Sequence, residues 1–172
     1  PEKLKTLYAA GDKWGIAMKI NKILIPASCS LIIAIALYPI FNPGIRRALT
    51  LGGFRKAAES MSIIAQEWEN AGYDYMFTDR KGCETDAIAV GYKTDDTVPV
   101  GANKNHFRYI LTEKKYQYIM KEGNAVYFTK YSSLGNGYGV AFVADGTKPQ
   151  DKFIKSCEKI DGYDKWYFYV ME

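Results

Sequence analysis

Two cysteines and one histidine are the side chains of this chain with the most specific chemistry. His106 is the only histidine, and Cys83 and Cys157 are distant from it and from each other in sequence. A cysteine and a histidine can form a nucleophilic pair, but a disulfide between the two cysteines is the favoured interpretation. A zinc site needs about four ligands, which these three residues do not supply. We therefore expect no enzymatic activity, no metal site and no cofactor.

Cys83 and Cys157 are the only cysteines after residue 45, so an exported domain is expected to join them in a disulfide. Closing a loop of about 74 residues would contribute roughly 4 kcal/mol on the chain-entropy estimate. Two buried, unpaired thiols in a cytosolic domain are the alternative.

His106 is the candidate residue for sensing acid. A histidine side chain normally changes its charge near neutral pH, so an external domain that holds one can respond to mild acid. Lys104 and Arg108 flank His106, and a strand is predicted to begin at Phe107. A surface histidine without a function is the alternative.

Trp68, Trp166 and Phe168 are the candidate residues for a partner surface or an apolar pocket. They belong to a chain with 14 tyrosines, and large aromatic side chains are frequent in protein interfaces and ligand pockets. Packing in an ordinary hydrophobic core is the alternative.

An uncharged segment, Ile23 to Phe41, precedes the elements that must position these residues. As a helix it would reach roughly 28 Å, close to the thickness of the hydrocarbon core of a bilayer. It predicts one transmembrane helix over 23–41, with 1–22 in the cytoplasm and one domain over 45–172. A signal peptide cleaved near Ala34-Ile35-Ala36 is the alternative. Met18, followed by two lysines and the apolar run, is the predicted native start.

The charge is distributed unevenly along the chain. Residues 1–22 hold five lysines against two acidic residues, a net charge of +3, whereas residues 45–172 hold 18 basic and 17 acidic residues. Nucleic-acid binding needs a concentrated basic face, which a nearly neutral domain lacks. A basic segment before the span favours a cytoplasmic N-terminus and an external C-terminal domain. With the cysteine pair, this favours the periplasm.

An apolar period of helical spacing runs from Leu49 to Ala71 and is followed by Gly72, a residue that commonly ends helices. We expect one amphipathic helix there, packed on the rest of the domain. The residues that form its apolar stripe are Phe54, Ala57, Ala58, Met61, Ile64, Ala65, Trp68 and Ala71.

From Tyr73 onward, short aromatic and β-branched segments alternate with turn residues, which is typical of strands. Short connections favour antiparallel pairing. The predicted fold class is therefore α+β, with the amphipathic helix on a mainly antiparallel sheet that could curl into a half-barrel. A short helix is expected over Gln150 to Lys159. The predicted strands are Asp74–Thr78, Ala87–Lys93, Phe107–Thr112, Tyr116–Met120, Ala125–Tyr131, Tyr138–Ala144 and Lys165–Met171.

The order of these parts resembles a group of small accessory proteins that act beside membrane-spanning transcription activators. These are the ToxS-like proteins, and among them the MyfF/PsaF-type proteins of fimbrial operons. The residues that prompt the comparison are Phe41-Asn42-Pro43, the helical segment 57–64 and the C-terminal run 166–171. The resemblance extends from Met18 to Glu172 and is one of architecture.

The resemblance implies a single-pass protein of the bacterial inner membrane with a periplasmic C-terminal domain. That domain would bind a co-encoded single-span transcription activator, stabilise it, and help relay a signal such as acid to fimbrial and virulence genes. It would not contact nucleic acid directly. A pilin-like structural subunit and a periplasmic ligand-binding sensor domain are the alternatives. A pilin is cleaved just before its apolar segment, and no suitable cleavage site precedes the apolar segment of this chain.

Overall fold

The computed structural model describes residues 42–92, 96–133 and 136–172. The predicted cytoplasmic segment and the predicted transmembrane helix lie outside these ranges. No helix within the ranges is both long and apolar enough to cross a membrane. The chain divides into two units, Pro1–Arg46 and Arg47–Glu172, and the elements below belong to the second, except for the start of the first helix.

Eight strands form one sheet in which each of the seven pairings is antiparallel. The order across the sheet is β3-β2-β1-β4-β5-β6-β8-β7, so β7 is an edge strand although it precedes β8 in the chain. With the helices, this confirms the predicted α+β class. The strands are β1 (Tyr75–Asp79), β2 (Ile88–Val90), β3 (Thr97–Val98), β4 (Tyr118–Glu122), β5 (Ala125–Ser133), β6 (Asn136–Val143), β7 (Ile154–Lys159) and β8 (Trp166–Met171).

Helical segments precede the sheet and connect its first strands. Within the described ranges, two helices come before β1, one lies between β1 and β2, and a continuous helical stretch links β3 to β4. That stretch begins as a 3₁₀ turn and ends as a π-helical turn. The segments are α1 (Pro43–Arg55), α2 (Ala58–Asn70), α3 (Arg80–Thr85), the 3₁₀ turn (Gly101–Asn103), α4 (Lys104–Arg108) and the π turn (Tyr109–Glu113).

The predicted helix over Leu49 to Ala71 is two helices that share one apolar stripe. The break lies at Ala57, whose φ of −120° and ψ of 0° depart from helical values, and whose amide donates to the carbonyl of Phe54. The stripe residues from Phe54 to Trp68 are buried on both sides of the break, except Ala58, which is partly buried. α1 begins earlier than predicted because Asn42 caps it: the Asn42 side-chain oxygen accepts from the amide of Ile45 at 3.2 Å.

The main hydrophobic core lies between these helices and one face of the sheet. Alternate strand residues enter it, as the two-residue period of a strand requires. The largest contributors that are at most 1% exposed are Trp68 from α2, Phe107 from α4, Phe128 from β5 and Phe54 from α1. Packing of aromatic and aliphatic side chains of this size is the main stabilising contribution of the fold.

The opposite face of the sheet carries a second, smaller core. At its centre Gly139 of β6 pairs with Thr129 on one side and Tyr169 on the other. A Cβ atom at Gly139 would meet the Phe128 carbonyl and the Tyr169 hydroxyl. Because Gly139 has none, the Tyr169 ring reaches across β6 and its hydroxyl lies 2.6 Å from Thr129 Oγ1. The second core comprises Ala125, Tyr127, Ala141, Val143, Tyr167, Tyr169 and Met171.

Two predicted elements are wrong. The predicted strand Phe107–Thr112 is helical, belonging to α4 and the π turn, because Phe107, Ile110 and Leu111 are spaced to face the core together from a helix. The predicted helix over Gln150 to Lys159 is instead a loop followed by the edge strand β7. The other six predicted strands are confirmed, with ends that differ from the predicted ones by at most three residues.

Candidate partner-binding surface

The three aromatic residues predicted to line a pocket or a partner surface are core residues. Trp68 is 1% exposed, Trp166 4% and Phe168 6%. The Trp166 ring lies 4.9 Å from the Phe54 ring and 5.3 Å from the Phe142 ring, measured between centroids. The prediction of an exposed role is therefore wrong, and the alternative of ordinary core packing holds.

The predicted disulfide is wrong as well, since Cys83 and Cys157 are both free. Cys83, on α3, belongs to the core on the helix-covered face, whereas Cys157, on β7, packs against the second core on the other face. α3 packs against β1 and β2, and five strand steps separate β1 from β7. At about 4.8 Å per step that is roughly 24 Å, far beyond the roughly 7 Å limit between the Cα atoms of a disulfide.

Neither thiol is in an environment that activates it. Burial is the largest cause that raises the pKa of Cys83, partly opposed by the positive charge of Lys104. Burial likewise raises the pKa of Cys157 to about 11. Because the thiolate is the reactive form, both cysteines are poor nucleophiles at neutral pH.

His106 lies on α4 and is half-buried against α2. Its Nδ1 atom is 3.0 Å from Ser60 Oγ. A second bond joins the adjacent 3₁₀ turn to α2, from Asn103 Nδ2 to Glu67 Oε2 at 2.9 Å. His106 thus takes part in the packing of α4 on α2 and does not meet either cysteine in a catalytic pair.

The feature that sequence reasoning missed is a cluster of aromatic rings on the helix-free face, near the β1 end of the sheet. We define the aromatic patch as Tyr75, Phe77, Tyr92 and Tyr118. The Tyr75 and Tyr92 rings stack with centroids 5.1 Å apart, and the Phe77 and Tyr118 rings are 5.5 Å apart. Tyr92 is 74% exposed, and the other three are half-buried. No helix of the described ranges covers these rings.

Strand register places carboxylates beside the aromatic patch. Glu122 of β4 pairs with Tyr75, and Asp79 of β1 pairs with Tyr118. Burial is the largest cause that raises the pKa of Tyr75, and the negative charge of Glu122 raises it further. The Asp79 carboxylate already accepts a hydrogen bond from the amide of Gly82 at 2.8 Å. The patch is therefore apolar at its centre and acidic at its rim on the Glu122 side.

A signal for this patch is present in the sequence. Tyr75 and Phe77 alternate with Met76, and Tyr118 and Met120 alternate with Ile119, so β1 and β4 carry large apolar residues on both faces. Strands of this kind are expected where both faces of a sheet are covered. Only one face of β1 and β4 has a helix layer in the described part of the chain. On the other face Met120 packs against the second core, and the aromatic patch continues that apolar surface towards β1 and the exposed ring of Tyr92.

Among the described residues, no group of three or more His, Cys, Asp or Glu side chains is placed to hold a metal ion. Comparison with protein-family models, with curated proteins and with solved structures finds no match.

Proposed function

We propose that the chain is a membrane-anchored accessory protein that binds and stabilises a co-encoded single-span transcription activator. In this proposal, Ile23 to Phe41 spans the bacterial inner membrane, and 45–172 is a periplasmic domain whose sheet could curl into a half-barrel. The domain helps to relay an environmental signal, with acid as the first candidate, to fimbrial or virulence genes. The activator supplies the DNA-binding segment.

The sequence supports the anchor and the orientation. The segment 23–41 has no charged side chain, and the lysine excess precedes it. Such an arrangement favours a cytoplasmic N-terminus. The architectural resemblance to the ToxS-like accessory group supports the role beside an activator.

The aromatic patch is the observation that carries the binding role. Tyrosine and phenylalanine are enriched at the centres of protein interfaces, and residues of these types often contribute most of the binding energy. Tyr92 is the most exposed residue of the patch. Burying its large ring against a partner would therefore remove the most apolar surface from water and contribute the most binding free energy. The carboxylate of Glu122 beside Tyr75 fits a partner surface that places a basic side chain next to apolar ones.

The test is co-purification of the full chain, in detergent, with the one-span activator encoded next to it. We expect the wild-type chain to retain the activator and the Tyr92→Asp variant to lose most of it, because a buried carboxylate without a partner opposes docking. Tyr131→Asp is the matched control. Tyr131 is 36% exposed and stacks on Tyr138, which packs against the helix-side core.

The outcomes separate the two parts of the proposal. A wild-type chain that fails to retain the activator overturns the accessory role. Retention by Tyr92→Asp equal to that of the wild type, with Tyr131→Asp also unaffected, places the binding surface elsewhere than the aromatic patch.

The acid response is assigned to His106. The motivating contact is the one between His106 Nδ1 and Ser60 Oγ, 3.0 Å apart, which joins α4 to α2. Histidine is the side-chain type that most often acts as a pH switch in proteins. We expect His106→Ala to reduce the difference in target-gene expression between neutral and mildly acidic medium. An unchanged difference removes His106 from the relay but leaves the binding role intact.

A further inference from the structure

A pocket of about 310 Å³ lies between α3 and the stretch formed by α4 and the π turn. We propose that it binds a small oxyanion of the phosphate type. The pocket is on the helix-covered side of the domain and does not include the aromatic patch. Its lining residues are Arg80, Cys83, Glu84, Lys104, Arg108 and Thr112.

The helical stretch presents three polar side chains to the pocket at four-residue intervals. Lys104, Arg108 and Thr112 follow one another along one side of it. The opposite side is fixed by the core, since Phe107 and Ile110 are fully buried. The three side chains are therefore held in one row facing α3.

The π turn sets the end of this row. The amide of Lys114 donates to the carbonyl of Tyr109 at 2.9 Å, five residues back, and not to the residue four back as in an α-helix. π turns are rare and occur frequently at functional sites. The wider turn carries Thr112, the last lining residue of the pocket.

Two of the three cations at the pocket are already paired. Arg80 Nε lies 2.9 Å from Glu84 Oε1, and Lys104 Nζ lies 3.2 Å from Asp86 Oδ1. Arg108 and Thr112 differ, since neither side chain has an ion pair or a hydrogen bond within the described ranges. The pocket thus offers a guanidinium and a hydroxyl as free donors, and both neighbouring carboxylates are ion-paired with the other two cations.

Cys83 lines the pocket with an uncharged thiol, which does not repel an anion. It is 4% exposed, and burial raises its pKa, so the thiol is neutral at physiological pH. The positive charges of Lys104 and Arg108 act on this position, and the negative charges of Glu84 and Asp86 oppose them. An anion in the pocket would lie beside the positively charged side chains of Lys104 and Arg108 and against the uncharged thiol of Cys83.

The donor set favours oxygen-rich anions. A guanidinium presents parallel N–H donors that match two oxygens of a phosphate or carboxylate group, and a hydroxyl can donate to a third. Phosphate groups can come from small soluble phosphates or from the headgroups of anionic phospholipids. Both sources present the same chemistry to Arg108.

The experiment titrates the full chain in neutral detergent with inorganic phosphate, at constant ionic strength, and measures saturable heat by calorimetry. A parallel titration uses a short-chain soluble phosphatidylglycerol. We expect Arg108→Gln to weaken binding of the preferred probe by about tenfold or more, because a charge-assisted hydrogen bond is lost. Arg55→Gln, a change at an exposed arginine of α1, is the matched control and should bind as the wild type does.

Tighter binding of inorganic phosphate supports a soluble ligand, and tighter binding of the phospholipid supports a headgroup. Saturable binding of neither probe overturns the proposal. Equal binding by wild type and Arg108→Gln overturns it too, provided that both melt at the same temperature. Thr112→Val, which removes only a hydroxyl, should give a smaller loss than Arg108→Gln.

Discussion

Gly139 shows how a single missing side chain decides the packing of the second core. A Cβ atom there would meet the backbone oxygen of Phe128 and the hydroxyl of Tyr169. We expect Gly139→Ala to lower the free energy of unfolding by about 1–3 kcal/mol, the usual cost of overpacking a core. Urea denaturation of the full chain, followed by tryptophan fluorescence, measures the change.

Gly52 provides the control for this substitution. It is exposed on α1, and a Cβ atom there would meet nothing within 4 Å. Alanine favours a helix over glycine, so Gly52→Ala should raise the free energy of unfolding by about 0.5–1 kcal/mol. Loss of stability in both variants would show that the close approach at Gly139 is not the cause.

Glu69, in the last turn of α2, makes stability depend on pH. Burial is the largest cause that raises its pKa, and the positive charge of Lys121 only partly opposes it. A raised pKa means that the folded state binds the proton more tightly. The stability this contributes is present below the ordinary pKa of glutamate and is lost as pH rises through the folded-state pKa.

We therefore expect Glu69→Gln to have a larger free energy of unfolding than the wild type at pH 7. The difference between the two proteins should shrink towards pH 4. Denaturation of both proteins at the two pH values measures this. Glu59→Gln is the control on the same helix. Glu59 lies in its first turn, where a carboxylate is favourable, so this variant should gain nothing. A gain of stability in Glu59→Gln as well would refute the explanation by burial.

At the scale of elements, Phe54 is the largest buried side chain of α1 and packs this helix against the main core. The Phe54 ring is fully buried, 4.8 Å from the Tyr163 ring and 4.9 Å from the Trp166 ring. We expect Phe54→Ala to lower the free energy of unfolding by about 3–5 kcal/mol. Leu49→Ala on the same helix, at a side chain that is 65% exposed, should change it by less than about 0.5 kcal/mol.

Equal effects at Phe54 and Leu49 in urea denaturation would contradict the packing of α1 described above. Both residues lie in the same helix and both are changed to alanine. A difference between the two variants therefore reports the burial of Phe54 and not a change in helix propensity.

The elements with a clear local pattern were predictable from sequence. Short aromatic and β-branched segments between turn residues gave the correct type of element for β1, β5 and β8, and the helical stripe from Phe54 to Trp68 did so for α1 and α2. The segment around Phe107 did not, because its aromatic and β-branched residues favour a strand while their spacing favours a helix. β7 was missed because an edge strand with an irregular register between Ile154 and Ser156 loses its two-residue alternation.

The sites depend on contacts between distant parts of the chain, which no local pattern shows. Nothing in the sequence around Cys83 indicates that α3 faces Arg108. The same holds for the buried tryptophans, since an aromatic residue of a strand can face a core or a partner. The aromatic patch is easier to predict from the sequence. Large apolar residues on both faces of β1 and β4 already indicate that both faces of these strands are covered.

At the scale of the whole molecule, two cores on opposite faces of one sheet hold the thiols apart. Cys83 belongs to one core and Cys157 packs against the other. We expect peptide mapping of the full chain, purified without reductant and alkylated in denaturant, to find both cysteines alkylated. The melting temperature should be the same with and without dithiothreitol, because no bridge constrains the unfolded chain.

The rate of alkylation adds an independent readout of the same arrangement. Burial raises the pKa of Cys157 to about 11, so its thiolate is scarce at neutral pH and labelling of the folded protein should be slow. Labelling should accelerate on unfolding, when the pKa returns to its ordinary range. A cross-linked peptide containing Cys83 and Cys157, together with a melting temperature that falls on reduction, would require the edge strand β7 to lie beside α3 and would overturn the strand order itself.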